Sequence, residues 1–310
     1  MASGNRRAQS AMEYLMTYGW AILLIAIAVV VLFQLGLFNY NGLTQKAQSG
    51  SCSVFRPHGP GTSALIQTIG VCSNMIPQSV LQISKASNTF TINSHKSFFD
   101  YIPNATFAIW VKPSTAAIGQ LYQEGASAPG ANGCPTMLVA GNPILIDVWN
   151  THTAGNWLAW TTSANLEQGY WQYVVYTLND GKSNAGTGKI YINGTLEGTT
   201  TTQAQAMNTS QSEQSMTGAA GTGCPGVYTG SFNGSIANLQ IYNTTLNANQ
   251  IRGLYTAGIG ADPVQIQNLV AWYPYNNDLN DYSGNKHNAT SGGSNTVQFT
   301  SNWQSGYAIP

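Results

Sequence analysis

Residues 20–38 form an uncharged apolar run that constrains the fold of this chain more than any other feature of the sequence. Nineteen helical residues rise roughly 28 Å, about the thickness of a bilayer core. The run is apolar all round, so a helix here must be buried on every face, in lipid or among helices of its own kind. We therefore predict a long hydrophobic α-helix within residues 9–41. The basic pair Arg6 and Arg7 places its N-terminus on the cytoplasmic side of a membrane.

Ala8 is a small residue that precedes the apolar run, whereas an ordinary secretory signal has its small-residue cleavage site after the apolar core. No such site follows the run. Residues 6–15 (RRAQSAMEYL) resemble the class III signal peptide of archaeal type IV pilins, in which a membrane peptidase cuts just before the glutamine. The resemblance implies a leader of residues 1–8 that is cut between Ala8 and Gln9. It is incomplete in one respect, since Ala11 stands where the commonest pattern has serine.

Glu13 becomes the fifth residue of the cleaved chain, which is the acidic position of the pilin family. A carboxylate beside an apolar helix is costly unless it is paired. In the family it pairs with the amino terminus of a neighbouring subunit, here the new amine of Gln9. The resemblance therefore implies a helical homopolymer whose precursor waits in the cytoplasmic membrane. It also implies the prepilin peptidase and the type IV pilus assembly machinery as partners. The alternative is a signal anchor in which Glu13 is incidental.

All four cysteines follow a polar linker at residues 42–51, and they are Cys52, Cys72, Cys134 and Cys224. No two have C-x-x-C spacing, which argues against a zinc site. An even number outside the membrane predicts disulfides. Three connectivities exist, and we favour Cys52–Cys72 by proximity, which leaves Cys134–Cys224. Four free thiols are the alternative.

Residues 52–310 alternate short β-prone segments with turns rich in Gly, Asn and Ser, which predicts an all-β sandwich. In one segment, Ala237, Leu239 and Ile241 alternate with Asn238 and Gln240, a pattern typical of a half-buried strand. The predicted strands are 80–83, 89–92, 106–111, 144–148, 157–161, 171–178, 189–192, 235–242, 270–275 and 296–299.

Two local signals mark the ends of elements in this region. Asn193-Gly194 after the strand at 189–192 predicts a tight hairpin turn. Asn247 predicts the N-cap of the one helix expected after the linker, Ala248–Tyr255.

Three motifs resemble strands of laminin-G-like, concanavalin A-like jelly rolls. They are FAIWVKP at 107–113, WQYVVY at 171–176 with GKIYING at 188–194, and FNGSIANLQIYN at 232–243 followed by residues 250–255. LVAWYP at 269–274 and NDYSGN at 280–285 resemble the segment that opens this domain in the family, but here they come last. The resemblance implies that residues 264–310 complete the same sandwich in a circularly permuted order. A small separate C-terminal lobe is the alternative.

The acidic residues after the apolar run are scattered. Glycoside hydrolysis needs an acid and a second carboxylate on opposite sides of the bond, yet no two acids lie on one predicted strand at even spacing. The four His are scattered too. We therefore predict a protein that is not an enzyme.

Residues 276–281 (NNDLND) supply carboxylate and amide oxygens of the kind that related sandwiches use to bind calcium. Asp278 and Asp281 are the candidate ligands. The alternative is an Asx-rich turn in which these side chains cap their own backbone.

Only 22 of the 310 residues are charged and the net charge is zero, against a usual charged fraction of ~25%. This excludes a nucleic-acid partner, which needs a basic surface. Asn, Gln, Ser and Thr must solvate the surface instead, together with N-linked glycans if the six N-x-S/T sequons are used. The sequons begin at Asn104, Asn193, Asn208, Asn233, Asn243 and Asn288.

Taken together, the two resemblances imply a structural subunit of an extracellular archaeal type IV filament, an adhesion pilus whose laminin-G-like domain faces outward. The resemblance implies a glycan or a cell-surface molecule as the target of such a domain. Two alternatives are an archaellin, which is the subunit of a motility filament, and a membrane-anchored lectin that does not polymerise. A cell-wall glycosidase is a third.

Overall fold

The structure is a computed structural model. It describes residues 5–34, 46–73, 75–83, 89–92, 98, 102–114, 119–123, 136–140, 144–153, 156–179, 186–204, 215–217, 232–292 and 298–310. The chain divides into two compact units, residues 1–46 and 47–310.

In the described part of the first unit, helix α1 spans Asn5–Gln34 and is 30 residues long. It begins before the predicted helix, inside the proposed leader, because Arg6, Arg7 and Ala8 are good helix formers. Residues 35–45, which include the predicted end of the helix and the first four residues of the linker, lie outside the described residues, as do the side chains of Ala8, Gln9 and Glu13. Among the described residues, no helix has both the length and the hydropathy that crossing a membrane requires.

The second unit is mostly β-structure. Its strands are β1 Lys46–Ala47, β2 Cys52–Phe55, β3 Gln67–Gly70, β4 Ile76–Pro77, β5 Val80–Ile83, β6 Thr89–Ile92, β7 Ala105–Pro113, β8 Gly119–Gln123, β9 Thr136–Ala140, β10 Ile144–Thr153, β11 Asn156–Leu166, β12 Gln172–Asn179, β13 Gly186–Ile192, β14 Thr195–Ala204, β15 Ser215–Thr217, β16 Gly234–Tyr242, β17 Leu269–Tyr273, β18 Ala289–Gly292 and β19 Gln298–Thr300. Helix α2 spans Ala248–Thr256, and a short 3-10 helix spans Ile266–Asn268.

Two large antiparallel sheets form a jelly-roll-like sandwich, which confirms the predicted fold class of this region. Sheet I has the order β11-β10-β9-β8-β15-β6-β18. Sheet II has the order β14-β13-β12-β7-β16-β5-β19, with β17 also paired to β16. The three strands from residues 269–300 enter both sheets, because β17 pairs with β16, β19 with β5 and β18 with β6.

The central strands of sheet II, β7, β12 and β16, are buried on both faces. On β12, Val174 and Tyr176 belong to a core cluster that also contains Leu121 of β8 in sheet I. Tyr173 and Val175 of the same strand belong to a second cluster on the outer face, which α2 helps to cover. Because side chains on both faces of β12 are buried, its sequence is a nearly continuous apolar run rather than an alternating one.

The outer face of β16 corrects one prediction from the sequence. Asn238 and Gln240 are only 4% and 1% exposed, so the strand is not half-buried. The amide nitrogens of both side chains donate to the carbonyl of Ala261, at 2.8 and 3.0 Å. Asn238 Oδ1 accepts from the indole N–H of Trp272 at 2.8 Å, and Gln240 Oε1 accepts from the hydroxyl of Tyr242 at 2.7 Å. The alternating amides are therefore a buried polar network and not a solvated face.

Both local signals are confirmed. Asn193 and Gly194 have φ angles of 51° and 78° in the two-residue turn between β13 and β14, as a type I′ hairpin requires. Asn247 caps α2, and its side chain accepts from the backbone N–H of Gln250 while the Gln250 side chain accepts from the N–H of Asn247. This reciprocal capping box fixes the start of the helix.

Candidate ligand-binding groove

An open groove lies on the outer face of sheet II, beside the start of α2. Its volume is about 440 Å³, within the usual range of roughly 300–1,000 Å³ for small-molecule sites. It is lined by Thr177, Asn179, Thr187, Lys189, Tyr191, Thr245, Leu246, Asn247 and Ala248.

The floor of the groove comes from the adjacent ends of β12 and β13. Thr177 pairs with Lys189, and Asn179 pairs with Thr187, in the antiparallel register. Because side chains alternate along a strand and partners share a face, these four point to the same side of the sheet. The floor thus presents two hydroxyls, an amide and an ammonium group. Tyr191 adds an aromatic ring, and burial raises the pKa of its phenol, which stays neutral.

The wall of the groove is the loop that leads from β16 into α2, and this loop is fixed by side-chain hydrogen bonds. Thr106 of β7 donates to the carbonyl of Thr244 at 2.7 Å and accepts from the N–H of Leu246 at 2.9 Å. Thr245 donates to the carbonyl of Leu178 on β12. The groove is therefore preformed, which lowers the conformational cost of binding.

The chemistry of the lining suits a polar, hydroxylated ligand. A few convergent polar groups beside an aromatic ring are typical of sites that orient such molecules. None of the lining residues is Asp or Glu, so the groove lacks the pair of carboxylates that glycoside hydrolysis uses. The lining groups that the structure describes can donate and accept hydrogen bonds to a hydroxylated ligand.

A second, much smaller crevice is lined by Trp272 and by the Cys52–Cys72 disulfide. Its volume is about 40 Å³, enough for one or two waters. Asp262 also lines it, and burial raises the pKa of this carboxyl group. The crevice is too small for a ligand of the size that fits the groove.

The side chain of Asp281 is fully buried and acts as an acceptor for its own loop. One carboxylate oxygen accepts from the N–H groups of Trp272 and Ser283, at 3.0 and 2.9 Å. The other accepts from the Ser283 hydroxyl and the N–H of His287, both at 2.9 Å. Four donors occupy the two oxygens, so this donor set does not fit a calcium ion.

Asp278 is also used by neighbouring donors. Its carboxylate accepts from the hydroxyls of Ser49 and Tyr282 and from the N–H of Asn280. Within the described part of the chain, no three His, Cys, Asp or Glu side chains are grouped so as to hold a metal ion. The geometry thus corresponds to the Asx-rich turn that the sequence left open.

The structure describes some of the predicted cysteines and sequon asparagines. Cys52 and Cys72 form a disulfide, whereas Cys134 and Cys224 lie outside the described residues. Among the sequon asparagines, Asn243 and Asn288 are exposed, Asn104, Asn193 and Asn233 are partly exposed, and Asn208 lies outside the described residues. Glycosylation of any of them stays a prediction.

The fold and the groove define a jelly-roll sandwich of the lectin-like class. Residues 84–252 match the model of a laminin G family that is described as the concanavalin A-like lectin/glucanases superfamily. The chain belongs to this superfamily, which confirms the resemblance of its three strand motifs. Comparison with the curated proteins gives no match.

Solved structures share the fold at low identity. A candidate carbohydrate binding protein from Bacteroides ovatus is 13% identical with a TM-score of 0.51, covering 76% of this chain and 66% of that one. The heptameric SAP-like pentraxin of Limulus polyphemus is 15% identical with a TM-score of 0.44, covering 59% and 84%. The CBM40 of the Ruminococcus gnavus IT-sialidase, bound to alpha2,3 sialyllactose, is 16% identical with a TM-score of 0.45, covering 58% and 98%. At these identities, the likeness concerns the fold alone.

Proposed function

We propose that this chain is a structural subunit of an extracellular filament of the archaeal type IV kind, which assembles through α1 and displays its jelly-roll domain for adhesion. The observation that carries the proposal is the exposure of the apolar side chains of α1. Met16, Trp20 and Ile25 are 67%, 63% and 65% exposed, and eight further large hydrophobic residues between 18 and 31 are also exposed. Such residues cover every face of a helix with 3.6 residues per turn.

An apolar surface of this extent is not stable in water and must be covered. We propose that copies of the same helix cover it in the filament, and that lipid covers it in the precursor. The class III motif supports this choice. The prepilin peptidase would cut between Ala8 and Gln9, and Glu13 would pair with the Gln9 amine of a neighbouring copy. The type IV pilus assembly machinery would then move the subunit out of the cytoplasmic membrane to the cell surface.

We further propose that the domain order is circularly permuted, with residues 264–310 taking the place of the segment that opens the domain in its relatives. The pairing of β17 and β19 within sheet II and of β18 within sheet I supports this interpretation. The adhesive surface would include the groove, whose hydroxyl, amide and ammonium groups suit a glycan. N-linked glycans on exposed sequons would add to the solvation of a surface that has few charges.

The test combines electron microscopy of sheared surface material with N-terminal sequencing of the main band. We expect filaments whose protein begins at Gln9. Glu13→Ala is expected to abolish the filaments, because an unpaired amine would remain in an apolar bundle. Glu197→Ala, at an exposed position of β14, is the matched control and should leave them unchanged. Mature protein that retains residues 1–8, or Glu13→Ala filaments like those of the wild type, would contradict the proposal.

A membrane-anchored lectin that does not polymerise is the second candidate, and the preformed groove favours it. In this case, surface material contains no filaments, yet the full chain binds glycans on an array. Lys189→Ala should remove this binding, while Lys286→Ala, which changes an exposed lysine outside the groove, should not. An archaellin would form filaments and would be distinguished by loss of swimming in a deletion strain.

A further inference from the structure

The β2–β3 hairpin carries an exposed apolar surface that neither the groove nor α1 explains. We define the hairpin platform as Phe55, Leu65, Ile69 and Val71, which are 45%, 77%, 43% and 46% exposed. Phe55 pairs with Gln67, and Ser53 pairs with Ile69. Phe55 and Ile69 therefore lie on the same face of the hairpin.

Strand β3 is an edge strand. Its residues are all exposed, and among the described residues it pairs only with β2. A free edge with apolar side chains is a template for pairing with another chain, and proteins normally protect such edges with Lys, Pro or a covering loop. β3 (QTIG) carries none of the protecting residues.

The hairpin is held in one conformation. The Cys52–Cys72 disulfide closes it. At its base, Gly70 has φ +92°, and a Cβ there would lie 2.1 Å from the carbonyl oxygen of Ser51, so only glycine fits. Arg56 is 8% exposed and donates to the carbonyl oxygens of Ser283 and Leu269, both at 2.9 Å. A surface fixed in this way loses little conformational entropy when it is covered.

The platform is also free of charge and of glycan attachment sites. Between residues 47 and 84, Arg56 is the only Lys, Arg, Asp or Glu, and its guanidinium is already bonded to carbonyls of the domain. No sequon occurs before Asn104. Only 22 of 310 residues are charged, so a contact between the platform and a surface of another copy would bury few unpaired charges.

We propose that the hairpin platform is a contact surface for a second copy of this chain within the filament. The proposal rests on the proposed function, because the filament supplies the neighbouring copy. Helical polymers use heterologous contacts, so the platform would bind a different surface of the next subunit. The contact would add apolar burial in the outer domain to the packing of α1.

The test introduces a charge into the platform of the full chain. Leu65→Asp is the first variant because Leu65 has φ 56°, a conformation that Asp tolerates better than Leu. Ile69→Asp is the second. The control is Leu196→Asp, since Leu196 is 47% exposed on β14, away from the hairpin in sequence. We expect the yield of sheared filaments to fall about tenfold or more for the two platform variants, because each would bury an unpaired carboxylate. The yield of the control should match that of the wild type.

A photo-crosslinking phenylalanine at position 65 supplies a second readout in intact cells. We expect a product of twice the subunit mass whose peptides all come from this chain, and no such product from position 196. Two results would overturn the proposed platform contact: wild-type filament yields in Leu65→Asp and Ile69→Asp, or crosslinks from position 65 only to another protein or to lipid. Neither result would affect the Glu13 test of the proposed function. Urea midpoints of the variants within error of the wild type exclude a folding defect as the cause.

Discussion

Replacing Asn238 tests whether the buried amide network on β16 stabilises the domain in the way its geometry indicates. The side chain makes three hydrogen bonds, since it donates to Ala261, accepts from Trp272 and accepts from Gln240 at 3.2 Å. The residue also has φ +50° at a bulge where the register between β16 and β7 shifts. Left-handed backbone is readily adopted by Asn and Gly but is strained for Ala.

The expected loss of stability combines the cost of the unpaired hydrogen-bonding groups and the cost of the left-handed backbone. In Asn238→Ala, the indole N–H of Trp272 remains buried without an acceptor, which costs ~1–3 kcal/mol. The carbonyl of Ala261 still accepts from Gln240, so it adds little. The left-handed conformation adds ~1 kcal/mol for Ala, which gives a total loss of ~3 kcal/mol in the free energy of unfolding. Asn238→Gly loses the same bonds without the strain and should cost ~2 kcal/mol.

The assay is urea unfolding of the full chain in a mild detergent, followed by tryptophan fluorescence. The informative result is the order of the two variants, because Gly in a strand is normally less stable than Ala by ~0.5–1 kcal/mol. Here Gly should be the more stable replacement. Trp272→Phe provides the control, since it removes the donor that Asn238→Ala leaves unpaired. If Ala is as stable as Gly, or if neither variant loses stability, the reasoning about this network is wrong.

Three further changes can be measured by the same unfolding assay. Replacing Cys52 and Cys72 by Ala should cost ~3 kcal/mol, because the disulfide closes a loop with a sequence separation of 20; a loss near zero would refute the estimate. Thr106→Val should cost ~2 kcal/mol, since the N–H of Leu246 loses its buried acceptor, and unchanged stability would show that the groove wall does not need this bond. Burial raises the pKa of Asp262 above that of the unfolded chain, so its contribution to stability is present at low pH and lost as the pH rises through the folded pKa. Asp262→Asn should therefore be more stable than the wild type at pH 7 and equal to it at pH 3, whereas a gain only at pH 3 would contradict the sign.

The sequence predicts the sandwich well because its strongest signals are local. Asn193-Gly194 and the Asn247 capping residue report backbone geometry within a few residues, and both are found in the structure. The strand at Val80–Ile83 is also found with its predicted bounds. Such signals depend on turn and cap chemistry, which tertiary contacts do not change.

The error at Asn238 and Gln240 has a different origin. Alternation of apolar and polar residues predicts a strand with one solvated face, but it cannot distinguish water from a buried partner such as the carbonyl of Ala261. That carbonyl lies more than 20 residues away in sequence. The interpretation therefore needed the tertiary structure, in which the outer face of sheet II is covered at β16.

The groove was not predicted for a related reason. Thr177 and Asn179 lie at the end of a strand whose apolar run predicts burial. Thr187 and Lys189 lie on the partner strand, and the sequence alone does not give the register between the two strands. The available cue is the pair of polar residues at i and i+2 on each strand, which would share a face once the strands pair. The wall of the groove adds a residue from β7, Thr106, that no local pattern connects to this site.

The low charge of the sequence is matched by the way the domain buries polar groups. Among the described residues, ten polar or charged residues are buried. Nine of them are uncharged, including Asn238, Gln240, Asn276 and Asn285, and the tenth is Arg56, whose charge interacts with the buried carboxylate of Asp281. Burying a hydrogen-bonded amide costs much less than burying a charge, and it does not depend on the protonation state. A domain built in this way needs few ion pairs to satisfy its interior, and the same residue types solvate its exterior. The shortage of charge thus removes the repulsion that would otherwise oppose close packing of identical subunits, as both the α1 bundle and the hairpin platform would require.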